Sequence, residues 1–401
     1  MAAAAAALAA TAAGCSAGAT AHSATEAKAG ASRVTITPIN GLHAVRPGAW
    51  VTVRASNGHL KGVEVTAAGV AVAGALSGNG TVWRSQSRLL PSTSYKVVAT
   101  AVSTSGHRMT ASSSFRTLTP RKTVQVTVLE ANNQAYGVGM PIVLTFSRNV
   151  KNRKAVERSL SLTTSRPVIG AWYWDGSKTV EFRPRRYWTP GTQVSFTGRL
   201  AGVEVAKGVY ATHNVHVGFR IGPSLIVKAS TVTHYMNVYY KGSLLGHWAI
   251  STGRPGDDTA NGTYLTIEKA NPVFMTGPGY ALWVPWAVRI TWSGVYIHDA
   301  YWSVWAQGSI NVSHGCVNTS PAHAERYYKL ELPGDPVTIT GSPRPGTWDN
   351  GWTEWFLPFR KYLRGSALHD AVVAGPNGST FVSASTVVPP AVVGPRGHAM
   401  A

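Results

Sequence analysis

One thiol in this chain has neighbours fit to use it. Cys316 stands in "SINVSHGCVN", and the only other cysteine is Cys15, near the N-terminus. A thiol attacks a carbonyl as thiolate, so it needs a base within reach or a local positive field. His298, in "GVYIHDA", lies eighteen residues earlier, a span across which a loop can bring the two side chains together; His314 is two residues from the thiol. Cysteine with histidine is the minimal nucleophile and base pair for acyl transfer. Gly315 lets the backbone approach a substrate and turn N–H groups toward a developing oxyanion. Ser313 and Asn318 carry side chains able to tie the loop to itself. The intervening "YWSVWAQGSINVS" is rich in aromatics, Gly and Ser, which suits a loop over a cleft that excludes water.

Two blander readings compete. Free cysteine is among the most buried residue types, so Cys316 is also read as a packed core residue. A metal site lacks the paired ligand spacing of structural zinc, so neither metal nor cofactor is expected. Asp257 and Asp258, in "GRPGDDTANGT", read as a solvated turn, because no Glu follows at calcium-loop spacing.

The elements that must position these residues are mainly β. From Arg33 to about Thr119, short alternating runs such as "WVTVRAS" and "YKVVATAV" are separated by turns such as "SGNG", the pattern of an antiparallel sandwich. Residues 120–222 repeat the order of Pro-turn, strand and closing Phe-Arg strand, giving two tandem immunoglobulin-like units, 33–119 and 120–222. His43, His59, His107 and His213 are isolated there, and Trp50, Trp83, Trp172 and Trp174 read as core and rim, so both units read as spacers. A third strand-rich domain covers 223–342. Its one short helix is predicted after Ser320–Pro321, where Ser caps, Pro opens the first turn and Glu325 follows early. A tryptophan-rich extension, 343–371, is expected to pack on that domain, and 372–401 reads as a disordered tail.

Composition sets the compartment. The 401 residues include 37 Lys and Arg against 17 Asp and Glu, a net charge of +20, which concentrates anionic partners such as an acidic cell wall. The cations are scattered through strands with no nucleic-acid-binding motif, so nucleic acid is not expected as a partner. Residues 1–32 hold an alanine-rich apolar run and small residues like an export signal, with no Lys or Arg before Lys28. Ala12-Ala13-Gly14-Cys15 resembles a lipoprotein box, with Ala12 where leucine is favoured; the alternative is a plain signal cut after Ala17 or Ala19. In either case mature Cys316 has no disulfide partner in view, which marks it as reactive in an exported protein.

"IHDAYWSVWAQGSINVSHGCVN" resembles the signature of the L,D-transpeptidase catalytic domain, and "LLGHWAISTGRPGDDTANGTYLTIEK" is similar to that domain's strand, Ser-Thr-Gly turn and following strand. Two immunoglobulin-like units before such a domain resemble the actinobacterial cell-wall members. The resemblance implies Cys316 as nucleophile toward a peptidoglycan tetrapeptide stem, with release of D-Ala. It implies His298 as base, oriented by the main-chain carbonyl of Asp299, and His314 and Gly315 as scaffold and oxyanion positions. Tyr280 would lie over the oxyanion, Asn318 would fix the loop, and Met275, Ser293 and Trp302 would line the substrate cleft. The segment before Tyr280 looks shorter than in relatives, which leaves the lid open to question. The implied reaction joins donor and acceptor stems as 3→3 cross-links, and acylation by carbapenems is a family expectation. The alternatives are hydrolysis of the same bond, endopeptidase action on wall peptides, and a non-catalytic wall-binding protein.

Overall fold

The structure is a computed structural model that describes residues 32–277 and 279–387. The expected export signal, Cys15 and the expected tail from 388 onward lie outside the described residues.

The first unit is built from period-two burial. In Ser94–Ser103 the side chains alternate between core and surface, as a pleated strand with one face covered requires. Arg33–Thr37, Thr52–Ser56, Val82–Ser85 and Gly74–Leu76 form one sheet in that order. Val70–Ala71, Gly58–Ala67, Ser94–Ser103 and Arg108–Arg116 form the other. The two close over Val53, Leu60, Trp83, Val97 and Phe115.

The second unit recruits remote chain. Its larger sheet runs Val126–Val128, Ile142–Phe146, Thr179–Pro184, Val168–Asp175, and then Asp370–Gly375 and Gly378–Ser383 from the C-terminal end. The expectation of disorder from 372 is thus corrected as far as residue 387. Ala371, Val372 and Ala374 are buried because the hairpin covers the free edge of Val168–Asp175, with Val168 opposite Ala374 and Gly170 opposite Val372. An unpaired edge is a liability that proteins tend to cover, and the partner edge lies two hundred residues upstream, outside any local periodicity.

The tryptophan-rich extension also departs from its expected place. Phe356 packs edge-on to Tyr264 of the third domain (centroids 5.1 Å apart). Trp355 meets Tyr187 at 4.3 Å, and Tyr362 stacks on Tyr173 at 4.8 Å, both in the second unit. The segment is a strap across two domains rather than an extension of one, because its rings alternate between two apolar surfaces.

The third domain is a sheet of nine strands in the order Gly262–Leu265, Pro336–Thr340, Leu225–Ser230, Tyr235–Tyr240, Ser243–Ser251, Val317–Thr319, Tyr296–Asp299, Ala287–Arg289, Glu268–Ala270. Helix Pro321–Leu330 lies against it, capped where Ser320 Oγ accepts from the His323 amide, with Ala324 and Tyr327 turned inward. The core holds Val227, Val238, Trp248, Ile250 and Ile297.

Candidate active site

The site is made by two short strands that are parallel neighbours. Ile297 pairs with Val317 and His298 with Asn318. Parallel strands need a crossover of a dozen or more residues, and residues 300–316 supply it, including the 3-10 turn Tyr301–Ala306. Because side chains alternate along a strand, this register puts His298, Cys316 and Asn318 on one face. All three line one cleft of about 400 Å³, together with Met275, Tyr280, Trp302 and His314.

His298 is buried, and its Nδ1 lies 2.7 Å from the carbonyl oxygen of Asp299. A carbonyl only accepts, so Nδ1 carries the proton and Nε2 keeps its lone pair, while the Cys316 thiol donates to the Gly294 carbonyl at 3.7 Å. Burial pushes His298 down to about 4, with the hydrogen bond to the Asp299 carbonyl opposing it. Burial pushes the Cys316 thiol up to about 11, opposed by a backbone hydrogen bond from Tyr296. At neutral pH the resting pair is therefore thiol and imidazole, both uncharged. The Asp299 carboxyl is itself raised by burial, and its Oδ1 has no hydrogen-bond partner; the contact with His298 is made through the main chain.

The loop before the thiol is fixed at several points. Ser313 Oγ donates to the Cys316 carbonyl at 2.6 Å and accepts from the Gly315 amide at 3.1 Å. The N–H of Gly315 is thus engaged inside the loop, and the glycine contributes through its backbone angle, φ +121°, where other residues are strained. Its carbonyl accepts from Thr259 Oγ1 at 2.7 Å. Thr259 belongs to the "GDDTANGT" turn read as merely solvated; no sequence spacing links it to Gly315. Asn318 Nδ2 donates to Ser303 Oγ at 2.9 Å, tying the aromatic turn to the cysteine strand. Trp302 lies over His298, rings 5.9 Å apart.

A hairpin, Val273–Gly277 with Tyr280–Val284, forms the lid. Met275 faces Leu282 across it. Alternation sends Met275, Tyr280, Leu282 and Val284 to the cleft, and leaves Phe274 and Trp283 paired outside at 5.1 Å. Tyr280 packs on the His314 ring at 4.8 Å. Its hydroxyl is raised by burial first and then by the neighbouring Cys316. Ser293 is the exception among the expected residues. It does not line the cleft: its amide donates to Asn350 Oδ1 at 2.8 Å and its Oγ accepts from Asn350 Nδ2 at 2.9 Å, so the strap has claimed it. Leu282, Val284, Ser303, Trp305, Val312 and Ser313 complete the lining; the alternation of "YALWV" is the signal that points to the first two.

Comparison with known proteins bears on this site. Residues 224–339 match the L,D-transpeptidase catalytic domain, and residues 42–204 match a bacterial Ig domain. The chain is 33% identical to L,D-transpeptidase 2 of Mycobacterium tuberculosis over 349 residues, covering 84% of this chain and 85% of that protein. It is 32% identical to L,D-transpeptidase 5 of the same species over 352 residues, covering 84% and 78%. A solved structure of an L,D-transpeptidase in complex with imipenem is 37% identical over 55% of this chain and 100% of that one, with a TM-score of 0.47.

Proposed function

Because the chain belongs to the L,D-transpeptidase family, whose members act on peptidoglycan stem peptides, we propose that it cross-links those stems through a thioester on Cys316. The observation that carries this is the placement of Cys316 and His298 on one face of adjacent parallel strands, with Nδ1 of the histidine occupied and Nε2 free. The carbonyl between the L-centre of diaminopimelate and terminal D-Ala enters the cleft. His298 Nε2 takes the thiol proton as sulfur bonds to that carbon. The resulting oxyanion is met by the Tyr280 hydroxyl, a donor held in a poorly solvated site where such a bond is strong. The C–N bond then breaks and the imidazolium gives its proton to departing D-Ala. The side-chain amine of a diaminopimelate on an acceptor stem attacks the thioester, His298 takes a proton from that amine, and a 3→3 cross-link leaves the thiol restored.

A neutral resting pair supports this order of events, since a wall enzyme with a standing thiolate would be open to oxidation. Trp302 and the lid residues Met275 and Leu282 supply the apolar walls that exclude water from the acyl-enzyme. Action on peptidoglycan places the chain at the cell wall or periplasm, and the +20 charge favours retention there. Attachment through lipid on Cys15, or loss of Cys15 with a cleaved signal, is read from the mass of the mature protein. The test of activity is incubation with a disaccharide-tetrapeptide and weighing of the products. Dimers lighter by one D-Ala are expected. Stems shortened by one D-Ala with no dimer would make water the acceptor and the enzyme a carboxypeptidase, and no product together with no imipenem adduct on Cys316 would overturn the reading.

A further inference from the structure

A second concavity, of about 470 Å³, lies far from the thiol in the chain, between the two β-sandwich units. Its walls carry Arg88 from the first unit and Arg158 and Arg199 from the second, and no carboxylate lines it. None of the three is ion-paired among the described residues. A cleft lined by one sign of charge, with no carboxylate to balance it, focuses its field outward and favours an anion within it.

Of the three, Arg88 is held in place, while Arg158 and Arg199 stand exposed. The guanidinium of Arg84 lies 4.3 Å from the centre of the Trp50 ring and that of Arg88 lies 5.1 Å from it. Arg88 Nη1 also donates to the Gly48 carbonyl at 3.1 Å. Arg88 is lowered by its burial and then by the charge of Arg84, the condition of a cation short of counter-charge. The cleft is equally fixed by the contact between units. Gly48 and Gly202 meet backbone to backbone: a Cβ on Gly48 would lie 2.5 Å from the Gly202 carbonyl oxygen, and one on Gly202 would lie 2.3 Å from that of Leu89. Arg46 pairs with Glu204 across the same junction. The two walls therefore stand at a set spacing before any ligand arrives, which lowers the ordering cost of binding.

We propose that this inter-unit cleft binds an anionic polysaccharide, its oxyanion groups taken by Arg88, Arg158 and Arg199 and its hydroxyls by Gln86 and Asn214. Planar guanidinium forks match phosphodiester and carboxylate groups alike, while the neutral amides suit sugar hydroxyls. Nucleic acid fits less well: Trp50, the aromatic ring of the cleft, is overlaid by guanidinium groups rather than left open for base stacking. The site makes the sandwich pair an anchor on wall polymer and is independent of the acyl-transfer chemistry.

The test uses the full chain and three probes, inorganic polyphosphate, polygalacturonate and single-stranded oligo-dT, with neutral dextran as blank, followed by calorimetric titration at moderate salt. The cleft variant Arg88→Gln/Arg158→Gln/Arg199→Gln is compared with Arg33→Gln/Lys61→Gln/Arg108→Gln, which removes the same charge from exposed positions elsewhere. Expected is binding of at least one of the first two probes, weakened about tenfold or more in the cleft variant and less than about threefold in the control. Preference for polyphosphate assigns phosphodiester as the natural group, and preference for polygalacturonate assigns carboxylate. Equal losses in both variants, no binding of either polymer by the unaltered chain, or tighter binding of oligo-dT would overturn the proposal. A melting temperature and circular dichroism spectrum unchanged from the parent show that the cleft variant is folded; if it is not, Arg158→Gln alone, at an exposed position, must still weaken binding.

Discussion

Among the regions of this molecule that bury titratable groups with displaced proton affinities, two make a contrast: one faces a cleft and the other does not. At the first, Cys316 and His298 look onto about 400 Å³ of open space. At the second, under the strap, Glu130, Glu181 and Glu354 are buried near one another, with Glu354 beside Arg183, whose guanidinium lies 4.4 Å from the Trp355 ring and 4.6 Å from the Tyr362 ring and donates to the Leu357 carbonyl at 2.6 Å. Burial raises Glu130 to about 8 and Glu354 to about 7. By displacement alone the second cluster is the stronger candidate for chemistry. It has no access, no nucleophile and no pair whose proton can pass to a substrate. Shifted proton affinity marks a site only where geometry lets another molecule reach it.

The comparison breaks first at the thiol. Cys316→Ala is expected to abolish dimer formation and imipenem adducts, a loss on the order of 10⁴-fold or more, while leaving thermal stability nearly unchanged. Residual adduct formation on the variant, seen by mass spectrometry, would move the chemistry elsewhere. The mirror experiment is Arg183→Ala. Loss of packing against the Trp355, Tyr362 and Phe359 rings and of the carbonyl contact is expected to destabilise the protein by about 4 kcal/mol in denaturant titrations. The imipenem acylation rate per folded molecule is expected to stay within about twofold of the parent. A large fall in that rate would mean that the strap cluster acts on the site as well as on the fold.

Within the active site, Tyr280→Phe separates the donor from its ring. The ring keeps its contact with His314, so a fall of about 10²-fold in acylation with unchanged stability assigns the hydroxyl to the oxyanion. An unchanged rate would leave Tyr280 as a wall of the cleft.

The strands of the candidate site were legible because their functional groups are local. "IHDA" and "SHGCVN" each place their functional groups within a few residues, and a parallel register then superposes them. The lid was left open by sequence reading, because it takes the hairpin pairing of Met275 with Leu282 to show which residues of "YALWV" face the cleft. What sequence reading missed has one physical form, contact between distant segments whose local patterns are ordinary. Thr259 reaches Gly315 across 56 positions. Asn350 takes Ser293 out of the cleft across 57 positions. Asp370–Ser383 completes a sheet begun by Val126–Val128, though its valines and alanines read as aperiodic when taken alone.

The strap cluster has a signature in pH. A carboxyl raised in the folded state stabilises it fully below the unfolded value, near 4.5, and that contribution is lost as pH rises through the folded values of about 7 and about 8. His298, lowered to about 4, acts in the opposite sense between 4 and 6.5, so the window from 6.5 to 8 isolates the carboxyls. The melting temperature is expected to fall by about 5 °C across that window. Glu130→Gln with Glu354→Gln is expected to reduce that fall, the remainder belonging to Glu181 and Asp335, which burial also raises. A melting temperature that is level or rising in the parent would show the cluster ionised and paired instead.

The smallest effect is expected at Asp299, where the two regions come nearest in kind, since its carboxyl is also buried, raised and without a partner on Oδ1. If the residue serves His298 through its main-chain carbonyl at 2.7 Å, the side chain is dispensable to the chemistry. Asp299→Asn keeps the shape and the carbonyl while removing the charge. Acylation is expected to stay within about threefold, with the acid limb of its pH profile unmoved. A shift of that limb to lower pH would show that the carboxylate helps hold the imidazolium, and that this buried acid, unlike those under the strap, belongs to the reaction.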